Sequence, residues 1–314
     1  MHPFLLKPII KNYIWGGERL IREFGYDAGR PAAEAWVLSC RNGDENVVGS
    51  GEYNGRALSE VPGVDKESFP LLVKLIDAER DLSVQVHPDS RCAEKFGDSE
   101  KFEMWYVIAC RDGASLICGF NEEFERKRKE EGKEVFRREI TRVISEGRIL
   151  DVTKRVTVHP GDVFCIEPGT IHAIGSGILL AEVQQNSDTT YRVFDYNRKD
   201  SAGRRRELHT EKAIEAVVTS SAGESSFSES TEEKPFGTVR SISCRHFSFD
   251  VISLSGDTGK TSRDVFRSCL VLSGSAVIAS AGGTLPISKG DSVFIPAGSV
   301  CSISGDAELL ISSS

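Results

Sequence analysis

Gln85 and His87, two residues apart in LSVQVHPD, and Glu103, at the head of the apolar run EMWYVIAC, are the side chains best suited to hold a metal ion. Residues two apart on a strand share a face and stand about 6.5–7 Å from each other, so both tips can turn toward one ion. An amide oxygen, a neutral imidazole and a carboxylate form a nitrogen/oxygen donor set that suits Zn²⁺ best, with Fe²⁺ or Mn²⁺ as lesser alternatives. One further ligand must come from elsewhere in the chain.

The flanking sequence must position these groups. Leu82, Val84 and Val86 alternate with Ser83, Gln85 and His87, so a strand that buries the first set presents the second on its other face. The strand stops at His87-Pro88-Asp89, and a short irregular or helical excursion leads to Glu103. Upstream, FPLLVKLIDA reads as a buried strand interrupted by Lys74, which either snorkels to the edge or faces the same pocket. Glu182, in ILLAEVQ, is polar among apolar neighbours. It is either a solvent-facing strand carboxylate or a pocket acid whose burial would fit it for proton transfer. Residues 121–147 change period: Phe124, Val135, Phe136, Ile140, Val143 and Ile144 suit helices with charged outer faces, and Gly132 divides them in two.

The missing ligand emerges from an internal repeat. GDVFCIEPGTIH, beginning at Gly161, matches GDSVFIPAGSVC, beginning at Gly290; His172 of the first copy aligns with Cys301 of the second. In each copy Gly-Asp makes a hairpin turn, the apolar run a strand, and the Pro/Gly pair the next turn. The pattern resembles the second motif of the cupin family, small β-barrels of jelly-roll type. Only the first copy keeps a histidine, which implies one metal site per chain, with His172 as a ligand. His2, His159, His209 and His246 carry no such pattern.

A chain of 314 residues with 39% apolar and 27% charged residues has the composition of a soluble globular protein long enough for two domains. A net charge of −8 argues against a nucleic-acid surface, and the absence of any long apolar run argues against a membrane span. Eight cysteines without a C-x-x-C pair read as reduced thiols of a cytoplasmic protein. The expected fold is mainly β: two cupin-type jelly-roll barrels with a small helical insertion. The expected division is a catalytic domain over 1–217, a Ser/Glu-rich linker or surface loop over 218–235, and a degenerate cupin domain over 236–314.

YIWGG, LSVQVHPD, EMWYV, PGTIHAIG and EVQQNSDTTYRVFDYNR, in that order, resemble the type I phosphomannose isomerases in their short bacterial or archaeal form. The resemblance implies a zinc enzyme interconverting mannose 6-phosphate and fructose 6-phosphate. It assigns His87, Glu103 and His172 as ligands of one zinc, with Gln85 as a fourth through its amide oxygen. It places the catalytic arginine at Arg192, the pocket lysines at Lys74 and Lys101, and the pocket acid at Glu182. Larger members have His-Lys-Pro-Glu where this chain has Glu100-Lys101-Phe102-Glu103, so no histidine stands at that position. The only partner expected is a small sugar phosphate, for an enzyme acting as a monomer or homodimer. A metal-dependent dioxygenase and a non-catalytic sugar-binding cupin remain as alternatives on the same fold.

Overall fold

The structure, a computed structural model, describes all residues except 28, 200–202 and 221–226. It is mainly β, with antiparallel pairing throughout the registered ladders, and falls into two compact units. One comprises Tyr13–Gly17 and Ile76–Ser225; the other comprises Met1–Asn12, Glu18–Leu75 and Ser226–Ser314.

The unit built mainly from Ile76–Ser225 carries the expected ligands. Five of its strands form a sheet in the order Thr153–Thr157, Ser115–Phe120, His172–Ala173, Val84–Val86 and Tyr191–Phe194. Three others, Val163–Ile166, Glu103–Cys110 and Ile178–Gln185, lie side by side with Glu103–Cys110 in the middle. Period-two alternation organises the five-stranded sheet. Val84, Val86, Ile117, Ala173, Tyr191 and Val193 join one core cluster with Phe124, Phe136, Ile140 and Val143 of helices Glu122–Glu130 and Lys133–Ser145, and with Ile214 and Val217 of helix Thr210–Thr219. The helices therefore cover the outer face, leaving Gln85 and His172 to the inner one. Gly132, at φ 76°, separates the two insertion helices as its position in the charged run suggests. Val135 departs from expectation: it is exposed, because the stripe that packs is Phe136, Ile140 and Val143.

In the other unit a nine-stranded sheet begins with Ser228–Lys234, Gly237–Ser243, Ser248–Asp257 and Cys301–Ser313. It continues through Arg267–Ser280, Ser292–Ile295, Phe4–Lys7 and Val47–Val48, with Gly283–Ser288 paired to the side of Arg267–Ser280. Phe4 stands opposite Phe294 and stacks on it at 5.4 Å, so the N-terminal strand belongs with the C-terminal ladder. This partition differs from the chain-order division at 217 and 236, because strand pairing joins segments that are remote in sequence. The expected linker differs too. Residues 218–220 end a helix, 221–226 lie outside the described residues, and Ser228–Lys234 is a strand exposed along its whole length. An edge strand held by its backbone ladder and by polar cross-strand contacts such as Arg240 to Glu229 has no apolar face to betray it in composition.

No described helix is long and apolar enough to cross a membrane. All eight cysteines are free.

Candidate active site

Register brings the polar residues together. His172 and Arg192 are the ladder partners of Gln85 on either side, so all three side chains share the inner face of the five-stranded sheet. Glu103 is the ladder partner of Gln184, and Trp105 that of Glu182. His87, Glu103 and His172, all buried, place one ligand atom each within 4.8 Å of one another.

Both imidazoles are held in one tautomer. His87 Nδ1–H donates to the Thr189 carbonyl at 2.7 Å, and His172 Nδ1–H donates to the Thr170 carbonyl at 2.9 Å. Each Nε2 thus points a lone pair inward, the arrangement found around metal-binding histidines. Burial, followed by the charge of Lys101, pushes the His87 pKa down; burial and then His87 push that of His172 down to about 3. Both rings are neutral at physiological pH. Burial alone would raise the Glu103 pKa, but the Lys101 ammonium holds it well below the ordinary carboxylate value. Lys101 Nζ reaches Glu103 Oε1 at 2.5 Å.

The donor atoms fit a divalent cation. His87 Nε2 and Glu103 Oε2 are buried with no hydrogen-bond partner among the described residues, while Oε1 faces the Lys101 ammonium. His87 Nε2 lies 3.1 Å from Glu103 Oε1, and His172 Nε2 lies 3.9 Å from Oε2. Lone pairs facing each other in a dry interior repel, and a cation among them turns that repulsion into attraction. Gln85 stands at the rim of the group, its amide nitrogen 3.2 Å from His172 Nε2. Half a turn of the amide puts Oε1 there instead, the atom a metal requires.

The backbone around His172 is built for this approach. Gly169 donates its N–H to the His87 carbonyl at 2.8 Å, linking the two histidine segments. It sits at φ 81°, and a Cβ there would come 2.5 Å from the Ser220 Cβ, so glycine is required. Upstream, Asp162 Oδ2 accepts the His159 N–H at 2.7 Å, and in the second copy Asp291 Oδ2 accepts the Ser288 N–H at 2.8 Å. The two turns are alike, yet the second delivers Cys301, buried, with Arg267 Nη2 3.5 Å from its sulfur. Among the described residues, the His/Glu/His group is the metal-ligand cluster that forms.

Of the remaining expected residues, Glu182 is buried and accepts a 2.9 Å hydrogen bond from Trp105 Nε1. Arg192 is tied by Nε to Ser83 Oγ at 3.3 Å and by Nη1 to the Glu207 carbonyl at 2.9 Å. Lys74 belongs to the other unit, where it is buried with its ammonium 5.3 Å from the Trp36 ring centroid. His209, which carried no pattern in the sequence, accepts the Arg192 backbone N–H at 3.1 Å and returns its own N–H to the Arg192 carbonyl at 2.8 Å. No local signal marked it, because the pairing joins residues 17 positions apart in the chain. Trp105 and the carbonyls of Thr170 and Thr189 were likewise invisible; a backbone acceptor has no residue-type signature.

The catalytic-domain model of type I phosphomannose isomerases matches residues 4–107, and the cupin-domain model of mannose-6-phosphate isomerases matches residues 238–314. Over 322 residues the chain is 36% identical to mannose-6-phosphate isomerase ManA of Bacillus subtilis (strain 168), spanning 99% of this chain and 98% of that one. This chain belongs to the type I phosphomannose isomerases. The enzyme superposes on the crystal structure of the Bacillus subtilis mannose 6-phosphate isomerase with a TM-score of 0.88 at 33% identity, over 99% of each chain. A mannose 6-phosphate isomerase solved bound with zinc and yttrium matches at TM-score 0.74 and 17% identity, covering 100% of this chain and 99% of that one. At that identity the likeness is one of fold.

Proposed function

We propose that the enzyme is a zinc-dependent isomerase interconverting mannose 6-phosphate and fructose 6-phosphate by proton transfer through an enediolate. One observation carries the metal assignment: three buried ligand atoms converge, two of them on imidazoles whose other nitrogens are already committed to carbonyls. His87, Glu103 and His172 would hold one Zn²⁺, with the Gln85 amide oxygen as fourth ligand. Zinc bound there supplies Lewis-acid polarisation of the sugar oxygens.

The protein's own groups do the rest. An aldose–ketose isomerisation takes a proton from one carbon and returns it to the next, so it needs a base and positive charge near the developing oxyanion. Glu182, buried and oriented by the Trp105 indole, is our candidate for carrying the proton. Arg192 cannot lose its proton at neutral pH, which restricts it to stabilising the enediolate or the phosphate. Lys101 adds positive charge beside Glu103. Eight free thiols suit a reducing, cytoplasmic setting.

The test is a coupled assay of mannose 6-phosphate conversion before and after removal of metal by a chelator, followed by addition of zinc. Loss on chelation and recovery with zinc are expected. Full turnover by metal-free protein would overturn the proposal.

A further inference from the structure

Three guanidinium groups of the unit that carries the ligands gather around one carboxylate. Asp195 is buried; Arg198 Nε donates to its Oδ1 at 3.1 Å and Arg206 Nε to its Oδ2 at 2.8 Å, and Nη2 of each arginine also donates to Oδ1. Tyr196 and Asn197, both left-handed at φ 53° and 55°, turn the chain so that Arg198 folds back on Asp195. An antiparallel bridge between Lys199 and Arg205 then brings Arg206 alongside. Arg192 is the third member. Its Nη1 donates to the carbonyl of Glu207, the residue after Arg206. Burial and then the Arg206 charge push the Arg192 pKa down, with Arg198 adding to the push and Asp195 and the exposed Glu207 opposing it. Like charges gathered this closely repel, and an anion among them relieves the repulsion. The donors are within reach of solvent: the Arg206 side chain is 30% exposed and that of Arg198 16%. Asp195 grips Arg206 side-on through Nε and Nη2, which leaves Nη1 outside the grip. A guanidinium fixed in this way presents its remaining N–H groups in a set geometry, suited to the oxygens of a phosphate.

We propose that Arg206, backed by Arg198, seats the phosphate group of the substrate, which leaves Arg192 to the developing oxyanion. The proposal rests on the isomerase reading above and divides its basic groups between two tasks. Arg192 is the ladder partner of Gln85, at the rim of the His/Glu/His group, and Asp195 lies three residues, about 10 Å, further along the chain. A six-carbon sugar phosphate carries its carbonyl at one end and its phosphate at the other, so the two ends fall to different arginines. Arg206 stands outside the motif that ends at Arg198, and its part depends on the Asp195 grip. Because that grip already fixes the guanidinium, the phosphate is held without ordering a free side chain.

The test titrates the zinc-loaded enzyme with inorganic phosphate by calorimetry and follows turnover of mannose 6-phosphate, in wild type and Arg206→Gln. Wild-type turnover, measured first, decides the isomerase reading; the titration needs no catalysis and decides the seat separately. In wild type, inorganic phosphate should compete with mannose 6-phosphate. For Arg206→Gln we expect phosphate to bind about tenfold more weakly and KM to rise about tenfold, with kcat within about threefold of wild type, the pattern of lost ground-state binding. Arg206→Lys, which keeps the charge and loses the fork, should fall between the two. Non-competitive inhibition by phosphate, unchanged phosphate affinity in Arg206→Gln, or a fall in its kcat at unchanged KM would each overturn the proposal. Should Arg206→Gln fail to fold or to retain zinc, crystals of the wild-type enzyme soaked in inorganic phosphate decide. A phosphate oxygen within about 3.2 Å of an Arg206 guanidinium nitrogen supports the seat. Phosphate bound at Arg192 alone, or nowhere in the cluster, refutes it.

Discussion

At the residue scale the candidate metal site depends on orientation more than on composition. Replacing His172 by alanine removes a ligand whose Nε2 is already directed inward, and zinc content per chain should fall sharply when measured on purified protein. Arg192→Ala should behave differently. Its guanidinium is fixed by Ser83 and the Glu207 carbonyl, outside the His/Glu/His cluster, so bound zinc is retained while turnover drops ~10²–10³-fold, the usual cost of losing an electrostatic stabiliser. Full activity in that variant would remove Arg192 from the mechanism. The contrast between the two variants separates holding the metal from using it. How far the sequence reveals such residues depends on what each one needs. Gln85, His87 and Glu103 announce themselves by type and alternation, whereas Trp105 and His209 become functional partners only through contacts across the fold.

At the element scale the helical insertion acts as the outer wall of the ligand-bearing sheet. Phe136 packs with Phe120 and Phe124 at 5.9 and 5.4 Å, in a cluster that includes Val84 and Val86 on the reverse side of the Gln85 strand. Phe136→Ala should cost about 3–5 kcal/mol, seen as a lower denaturation midpoint, whereas the exposed Val135 should tolerate alanine with almost no change. Gly169→Ala tests the turn that delivers His172. A side chain at φ 81° with Ser220 in the way should destabilise by more than the about 1 kcal/mol expected from backbone strain alone. Unchanged stability would mean that the turn relaxes freely. The helices and their division at Gly132 were legible because an apolar stripe every three or four residues requires a packed face. Strand Ser228–Lys234 was not, since all of its side chains face water.

At the scale of the whole molecule, acid should weaken the fold through carboxylates that rely on partners. Asp195 accepts from Arg206 Nε at 2.8 Å and Arg198 Nε at 3.1 Å. Burial would raise its pKa, but Arg206 and Arg198 outweigh burial and hold it below the ordinary aspartate value. A carboxyl depressed in the folded state stabilises the protein above its unfolded pKa, about 3.9, and loses that contribution as pH falls toward the folded value. Asp195→Asn should therefore flatten the loss of stability below about pH 4 in denaturation curves taken across pH. An unchanged acid slope would show that other carboxylates dominate.

The amino-acid sequence by itself determined the β-rich class, the repeated Gly-Asp motif with a histidine in only one copy, and the identities of His87, Glu103 and His172 as potential ligands. Those features follow from local rules: alternation along a strand, the conformational freedom of glycine, and the donor chemistry of each side chain. The tertiary structure decided that Phe4–Lys7 pairs with the C-terminal ladder and that Thr170 and Thr189 lock the two imidazoles. Each of these depends on two segments far apart in the chain meeting at one register. No periodicity within either segment encodes that meeting, because the free energy that selects it comes from packing and pairing between them.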